Sequence, residues 1–142
     1  MSRKIKITES FENVHVWGIS TALPILKLVL LINKSLHVNF RRSIKVMSRS
    51  GIPPEGFQTF TYLSETYDTS VRYVLFMNRM GGHALFSSCS QFDYLLVVLG
   101  SFSSHELKRT TMQLRSVDGI NALIPIAVDT LKQDRELFLL FD

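Results

Sequence analysis

The chain has 142 residues, 46% of them apolar and 20% charged, which is an ordinary composition for one globular domain. Its single cysteine, Cys89, excludes an internal disulfide and gives no reason to place the chain in an oxidising compartment. The first long apolar run begins at Ala22, too late for a signal peptide. Lys27 interrupts that run, and a membrane span needs about 20 apolar residues. We therefore expect a cytoplasmic protein with no membrane partner.

The charges are divided unevenly along the chain, whose net charge is +4. Residues 1–50 carry nine Lys or Arg and two Glu, whereas residues 51–142 carry seven basic and ten acidic side chains. A basic half of this kind is attractive to nucleic acid or another polyanion. The alternative is self-association, in which the basic region of one copy meets the acidic region of the next.

The first predicted elements are a strand and a helix. Residues 15–20 have the pattern of a strand with Trp17 and Ile19 on one side. The next segment, 22–36, is predicted to be a helix with Thr21 as its N-cap and Pro24 in its first turn. Helical spacing puts four apolar side chains on the face turned to the core: Ile25, Val29, Ile32 and Leu36.

This helix also has a spare apolar flank. Leu23, Leu30 and Leu31 lie beside the predicted outward lysines, Lys27 and Lys34. Either another element of the same chain covers these leucines, or they form a dimer interface. The pattern leaves both readings open.

Residues 38–47 alternate between apolar and polar, which predicts a strand with one buried and one solvated face. Arg42 breaks the apolar side, so we expect the strand to bend or end there. The basic side chains of this region are candidates for polyanion binding, with a solvated surface as the alternative: Lys34, Arg41, Arg42 and Lys45.

The middle of the chain predicts an antiparallel hairpin and a central strand. A loop rich in Gly and Pro at 48–56 precedes two strands at 58–65 and 70–80. Residues 92–99 are almost continuously apolar, as expected for a strand that is covered on both faces. We expect a helix on one of those faces and more protein on the other.

The last third begins with a helix and ends with strands. Ser103 and Glu106 match a capping box, which predicts a helix to about residue 115, ended by Asp118-Gly119. Residues 120–127 form a predicted strand, and Pro125 assigns it to a sheet edge. A helical turn is predicted at 129–135 and a final strand at Leu137–Phe141.

This order of elements predicts a single α+β domain over residues 1–142. We expect a mixed, mostly antiparallel sheet of about five or six strands, with two main helices packed on one face. The first strand, the first helix and the following strand could place two strands in parallel.

No catalytic or cofactor-binding signature is found, and Cys89 and the four histidines are scattered along the sequence. We therefore predict no catalytic residue, no cofactor and no metal. Asp93, followed by Tyr94, is the one carboxylate in the most apolar strand, and together they are the candidate buried polar site. We expect Asp93 to bond loop N–H groups or an arginine, for which the candidates are Arg42, Arg72 and Arg79. The alternative is a small-ligand or catalytic site centred on this carboxylate.

Phe92-Asp93-Tyr94, followed by Leu-Leu-Val-Val-Leu-Gly, resembles the Val-Asp-Tyr strand of the IPExxxVDY family of small Bacteroidetes proteins. Further similar pieces occur in the same order over most of the chain: Gly18-Ile19-Ser20, Ile32-Asn33-Lys34-Ser35-Leu36, Val38-Asn39-Phe40-Arg41-Arg42 and the apolar ending Leu137–Phe141. The family's Ile-Pro-Glu is absent, since Phe86-Ser87-Ser88 stands at that spacing. The resemblance implies a cytoplasmic bacterial protein and brings no catalytic residue with it.

The function expected from the sequence is that of a non-enzymatic interaction or structural domain that forms a homodimer. The first alternative is a nucleic-acid or polyanion-binding module that uses the basic side chains of the first half. The second is a small-ligand binder or enzyme centred on Asp93.

Overall fold

The computed structural model describes residues 3–6, 14–43, 46–48, 59–65, 70–80, 83–84, 86–101, 103–128, 130 and 137–141. Within those residues the elements run, in chain order, β1 (Arg3–Lys6), β2 (Val14–Thr21), α1 (Ile25–Leu36), β3 (Arg41–Ser43), β4 (Val46–Ser48), β5 (Thr59–Glu65), β6 (Ser70–Met77), β7 (Arg79–Met80), β8 (His83–Ala84), a 3-10 turn (Ser87–Cys89), β9 (Tyr94–Leu99), α2 (Ser104–Arg115), β10 (Ile120–Ile126) and β11 (Leu137–Phe141). Most of the predicted loop at 48–56 and of the predicted turn at 129–135 lies outside the described residues. None of the described helices is long and apolar enough to cross a membrane.

The main sheet has six strands in the order β10-β2-β9-β6-β5-β3, and every neighbouring pair is antiparallel. A second sheet, β1-β11-β4, and the small hairpin β7-β8 are antiparallel as well. The α+β prediction is confirmed, but the expected parallel pair is not formed between described strands. The reason is that α1 carries the chain across the sheet, so β2 and β3 occupy the second and sixth positions rather than adjacent ones.

Strand β9 is the central strand that the apolar run predicts. It lies between β2 and β6, and all six of its side chains are buried. Leu96 and Val98 belong to the core on the helix side, whereas Leu95 and Val97 belong to the core on the opposite side. Alternate side chains of a strand point to opposite faces, so an uninterrupted apolar run here requires cover on both.

Both helices pack on the same face of the sheet, as predicted. Leu28 and Ile32 of α1 and Leu114 of α2 have no solvent exposure and share one core with Leu96 of β9. Burying a side chain of this size stabilises the fold by about 2 kcal/mol. Ser103 and Glu106 form the predicted capping box of α2.

The start of α1 differs from the prediction. The helix begins at Ile25, and Pro24 is its N-cap, with extended backbone and no capping side chain. Thr21 is instead the last residue of β2. Its hydroxyl donates to the Gly119 carbonyl at 2.6 Å and accepts from the N–H of Leu23 at 3.1 Å, so it stabilises the turn before the helix rather than the helix itself.

The predicted strand at 38–47 is divided between two sheets. β3 is the edge strand of the main sheet, and β4 pairs with β11 in the three-stranded sheet. Phe40 is buried, while Arg41 and Arg42 are both exposed. Two successive exposed side chains cannot both point to the solvated face of one strand, so the break at Arg42 marks the end of regular alternation.

The opposite face of the sheet is covered by residues 86–92. Phe86, Cys89 and Phe92 are buried against side chains of β2, β6 and β9. Gly18 of β2 lies under the ring of Phe92, and a Cβ atom at that glycine would come within 2.5 Å of the ring carbons. The glycine in mid-strand therefore permits close packing of the covering segment.

Candidate functional site

Asp93 and Tyr94 fix the connection between β2 and α1. The Asp93 carboxylate Oδ2 accepts from the N–H of Thr21 at 3.0 Å, and the Tyr94 hydroxyl donates to the carbonyl of Leu23 at 2.7 Å. Thr21 in turn bonds Gly119, which starts the return into β10. The two polar side chains therefore hold one turn to the start of the central strand.

The chemistry of this pair suits a structural bond. Burial raises the pKa of Tyr94, and the negative charge of Asp93 raises it further, so the hydroxyl stays protonated and remains a donor. The Asp93 carboxylate accepts from a backbone N–H at the very end of β2, which is close to the loop N–H partner expected from the sequence. A ligand-binding or catalytic role for Asp93 stays a hypothesis, and the carboxylate is already engaged.

Asn78 is a polar residue that the sequence analysis did not single out. It is fully buried, and its amide donates to the carbonyls of Cys89 at 2.9 Å and Phe92 at 3.1 Å. Its side-chain oxygen accepts from the N–H of Phe86 at 2.9 Å. One amide thus holds the segment that covers the sheet. An asparagine at the end of an apolar strand was the available signal, because Asn is depleted in strands.

The three leucines predicted to form a dimer interface differ in their exposure. Leu30 is 67% exposed, while Leu23 and Leu31 are only half-buried. Leu23 packs against the helix-side core, so the same chain covers it in part. Leu26, which the sequence analysis did not name, is 62% exposed and lies four residues before Leu30. We call Leu26 and Leu30 the α1 flank.

The basic candidates are placed near the far edge of the main sheet. Arg41 and Arg42 are exposed on β3, directly across from Thr61 and Phe60 of β5. Lys34 is exposed in the last turn of α1. Lys45 lies outside the described residues.

A cavity of about 610 Å³ opens at the beginning of β2, and we call it the β2 groove. It is lined by residues 14–17 of β2, by Leu107 and Thr111 of α2, and by residues 125–128 at the end of β10. Trp17 Nε1 donates to Thr111 Oγ1 at 3.2 Å, and that hydroxyl donates to the Leu107 carbonyl at 2.7 Å. Burial lowers the pKa of His15. No sequence motif pointed to this groove.

The described part of the chain contains no group of three or more His, Cys, Asp or Glu that could hold a metal ion. Comparison of the whole chain with protein-family models, with curated proteins and with solved structures finds no match.

Proposed function

We propose that this protein is a non-enzymatic interaction domain that forms a homodimer through the α1 flank. The observation that carries the proposal is the exposure of Leu26 and Leu30, at 62% and 67%. Side chains four residues apart on a helix are neighbours, so the two leucines make one continuous apolar strip. A twofold axis would place this strip against its own copy, which is the simplest way to cover it.

The size of the strip sets the expected strength of the dimer. Four leucines, two from each copy, would contribute roughly 4 to 8 kcal/mol on full burial. Association costs an amount of similar size in lost translational and rotational freedom. A dimer populated at tens of micromolar protein needs a net free energy of about −6 to −7 kcal/mol. The residues around the strip must therefore supply the difference, and we expect a weak dimer rather than one that forms at nanomolar concentration.

The charges on α1 give the dimer a diagnostic salt dependence. The helix contains Lys27 and Lys34, both exposed, and no acidic residue. A twofold contact brings the lysines of the two copies towards each other, so added salt should screen their repulsion and strengthen association. Pairing of the basic first half with the acidic second half would instead be weakened by salt.

The test is sedimentation velocity over a concentration series at low and at high salt. We expect the wild type to associate with concentration and the double variant Leu26→Gln/Leu30→Gln to remain monomeric. Met112→Gln is the matched control, because Met112 of α2 is 68% exposed and lies outside the strip. A monomer at every concentration and salt would overturn the proposal, and association that salt weakens would transfer it to the charge-paired arrangement.

A second candidate function is polyanion binding, favoured by the exposure of Lys34, Arg41 and Arg42 around one sheet edge. It predicts that log affinity for a single-stranded oligonucleotide falls linearly with log salt. Arg41→Gln/Arg42→Gln should lower that slope by about 1.4, at about 0.7 for each charge removed. Lys108→Gln, an exposed lysine on α2, is the control. No retention on an oligonucleotide column at low salt would end this candidate.

The cellular setting is part of the same proposal. The resemblance to the IPExxxVDY family supports a place in the bacterial cytoplasm, and so does the single cysteine, which is a buried thiol. Fractionation of the native source, followed by detection of the protein, tests that placement.

A further inference from the structure

We propose that the β2 groove binds an uncharged, largely apolar small molecule with a single hydrogen-bonding group at one end. This goes beyond self-association, because the groove and the α1 flank use different residues.

The groove exists because β10 stops pairing before β2 ends. Their register runs from Thr21 opposite Ile120 to Val16 opposite Ile126 and does not extend to Val14. Beyond Ile126 the described chain turns, with the N–H of Thr130 donating to the carbonyl of Ala127 at 3.0 Å. Helix α2 forms the other wall. The resulting volume of about 610 Å³ is in the range of small-molecule sites, which is about 300 to 1,000 Å³.

The walls favour a ligand without charge. The ten lining residues include no Asp, Glu, Lys or Arg. His15 has its pKa lowered by burial, so its imidazole is uncharged at neutral pH. The polar atoms of Trp17 and Thr111 bond each other. An ion entering the groove would lose hydration and meet no opposite charge on the described lining residues, which is costly, whereas an apolar molecule would gain from burial.

The backbone of β2 supplies a polar end to the groove. In an antiparallel strand, the N–H and C=O groups of alternate residues point to opposite neighbours. The carbonyl of Ile19 accepts from the N–H of Asp93 at the start of β9. The backbone N–H and C=O groups of the odd-numbered residues of β2 therefore point towards β9. Val14 therefore directs its N–H and C=O towards the side of β10, where β10 has already turned away. A carbonyl, hydroxyl or amide group of the ligand matches that position.

Trp17 provides a direct readout because it is the only tryptophan of the chain and lines the groove. The probe is N-phenylnaphthylamine, an uncharged dye that accepts energy from tryptophan. Its sulfonated analogue, anilinonaphthalenesulfonate, is the matched anionic probe. We expect saturable quenching of Trp17 with sensitised dye emission, and affinity for the uncharged dye at least roughly tenfold higher than for the sulfonate.

Two exposed alanines give a matched pair of variants. Ala127→Phe places a ring at the rim of the groove, and Ala22→Phe adds the same ring beyond the other end of β2. We expect the first to weaken dye binding at least roughly tenfold and the second to leave it unchanged. Leu107→Phe fills the groove from α2 and should also weaken dye binding. It keeps the test valid if Ala127→Phe does not fold. Thermal melts confirm that each variant is folded.

Other outcomes would overturn the inference. Equal affinity for both dyes would contradict the uncharged ligand class, and binding unaffected by Ala127→Phe and Leu107→Phe would place the dye elsewhere. Loss of binding in Leu26→Gln/Leu30→Gln would transfer the site to the α1 flank. Sedimentation tests the dimer proposal separately, so failure of the ligand site can be distinguished from failure of the dimer.

Discussion

The two ends of β2 are built in opposite ways. At its C-terminal end, Thr21 is bonded to the Asp93 carboxylate and to Gly119, and Tyr94 holds the next turn. At its N-terminal end, from Val14, pairing with β10 is lost and an apolar groove opens. The end with the half-buried Asp93 carboxylate is closed by backbone hydrogen bonds, whereas the end lined by uncharged described residues is open. A polar residue in an apolar strand is therefore a better guide here to what holds the fold than to where a ligand binds.

The closed end continues into the segment that covers the sheet. The backbone N–H groups of Asn78 and Arg79 donate to the carbonyl of Asp93 at 2.9 and 3.3 Å. The Asn78 side chain then bonds three further backbone groups of residues 86–92. Substitutions at this end should accordingly cost more unfolding free energy than substitutions at the open end.

The largest effect is expected from Asn78→Ala. Truncation would leave the carbonyls of Cys89 and Phe92 and the N–H of Phe86 without their bonds in a buried site. An unsatisfied buried group costs about 1 to 3 kcal/mol, so we expect a loss of about 3 to 5 kcal/mol in the free energy of unfolding. Urea denaturation measures it, with Asn121→Ala as control because Asn121 of β10 is exposed. Similar losses in the two variants would contradict the role given to Asn78.

A smaller effect at the same end is expected from Tyr94→Phe. The substitution removes the hydroxyl that donates to Leu23 and keeps the ring, so the loss should be about 1 kcal/mol. Tyr62→Phe, in a half-buried tyrosine of β5, is the matched control and should change stability less. Thermal unfolding of both proteins checks this, and a smaller loss for Tyr94→Phe than for Tyr62→Phe would mean that the turn is held by other contacts.

The features that the sequence predicts are those set by neighbours in the chain. The continuous apolar run predicts β9, Ser103 and Glu106 predict the start of α2, and Pro125 predicts an edge strand. Thr21 has the character of an N-cap, but its hydroxyl bonds Gly119, which lies 98 residues away in sequence. A local rule cannot anticipate such a partner.

The same limit applies to the candidate sites. The exposed α1 flank was half predictable, since Leu30 has an outward position in the helical pattern. Leu23 was assigned to that flank although it packs on the core beside Gly119. The β2 groove depends on where β10 ceases to pair, which is a property of the register between distant segments and has no signature in either one.

The smallest effect concerns pH at the open end. Burial lowers the pKa of His15 below its usual 6.5, so the native state binds fewer protons than the unfolded state in mildly acidic solution. Well above pH 6.5 the imidazole is uncharged in both states and contributes no pH dependence. As the pH falls through 6.5, the unfolded chain is protonated first, and the protein loses stability until the pH is below the lowered native pKa.

His15→Gln removes this contribution, so its unfolding free energy should decline less than that of the wild type between neutral pH and pH 5, about where protonation of an ordinary histidine is nearly complete. His105→Gln, in an exposed histidine of α2, is the control and should follow the wild type. Urea unfolding at a series of pH values gives the three profiles. Because the imidazole is partly exposed, the difference should be a fraction of what full burial would produce. Parallel profiles for the wild type and His15→Gln would mean that His15 is as well solvated as a surface residue. That result would contradict the burial of its imidazole in the β2 groove.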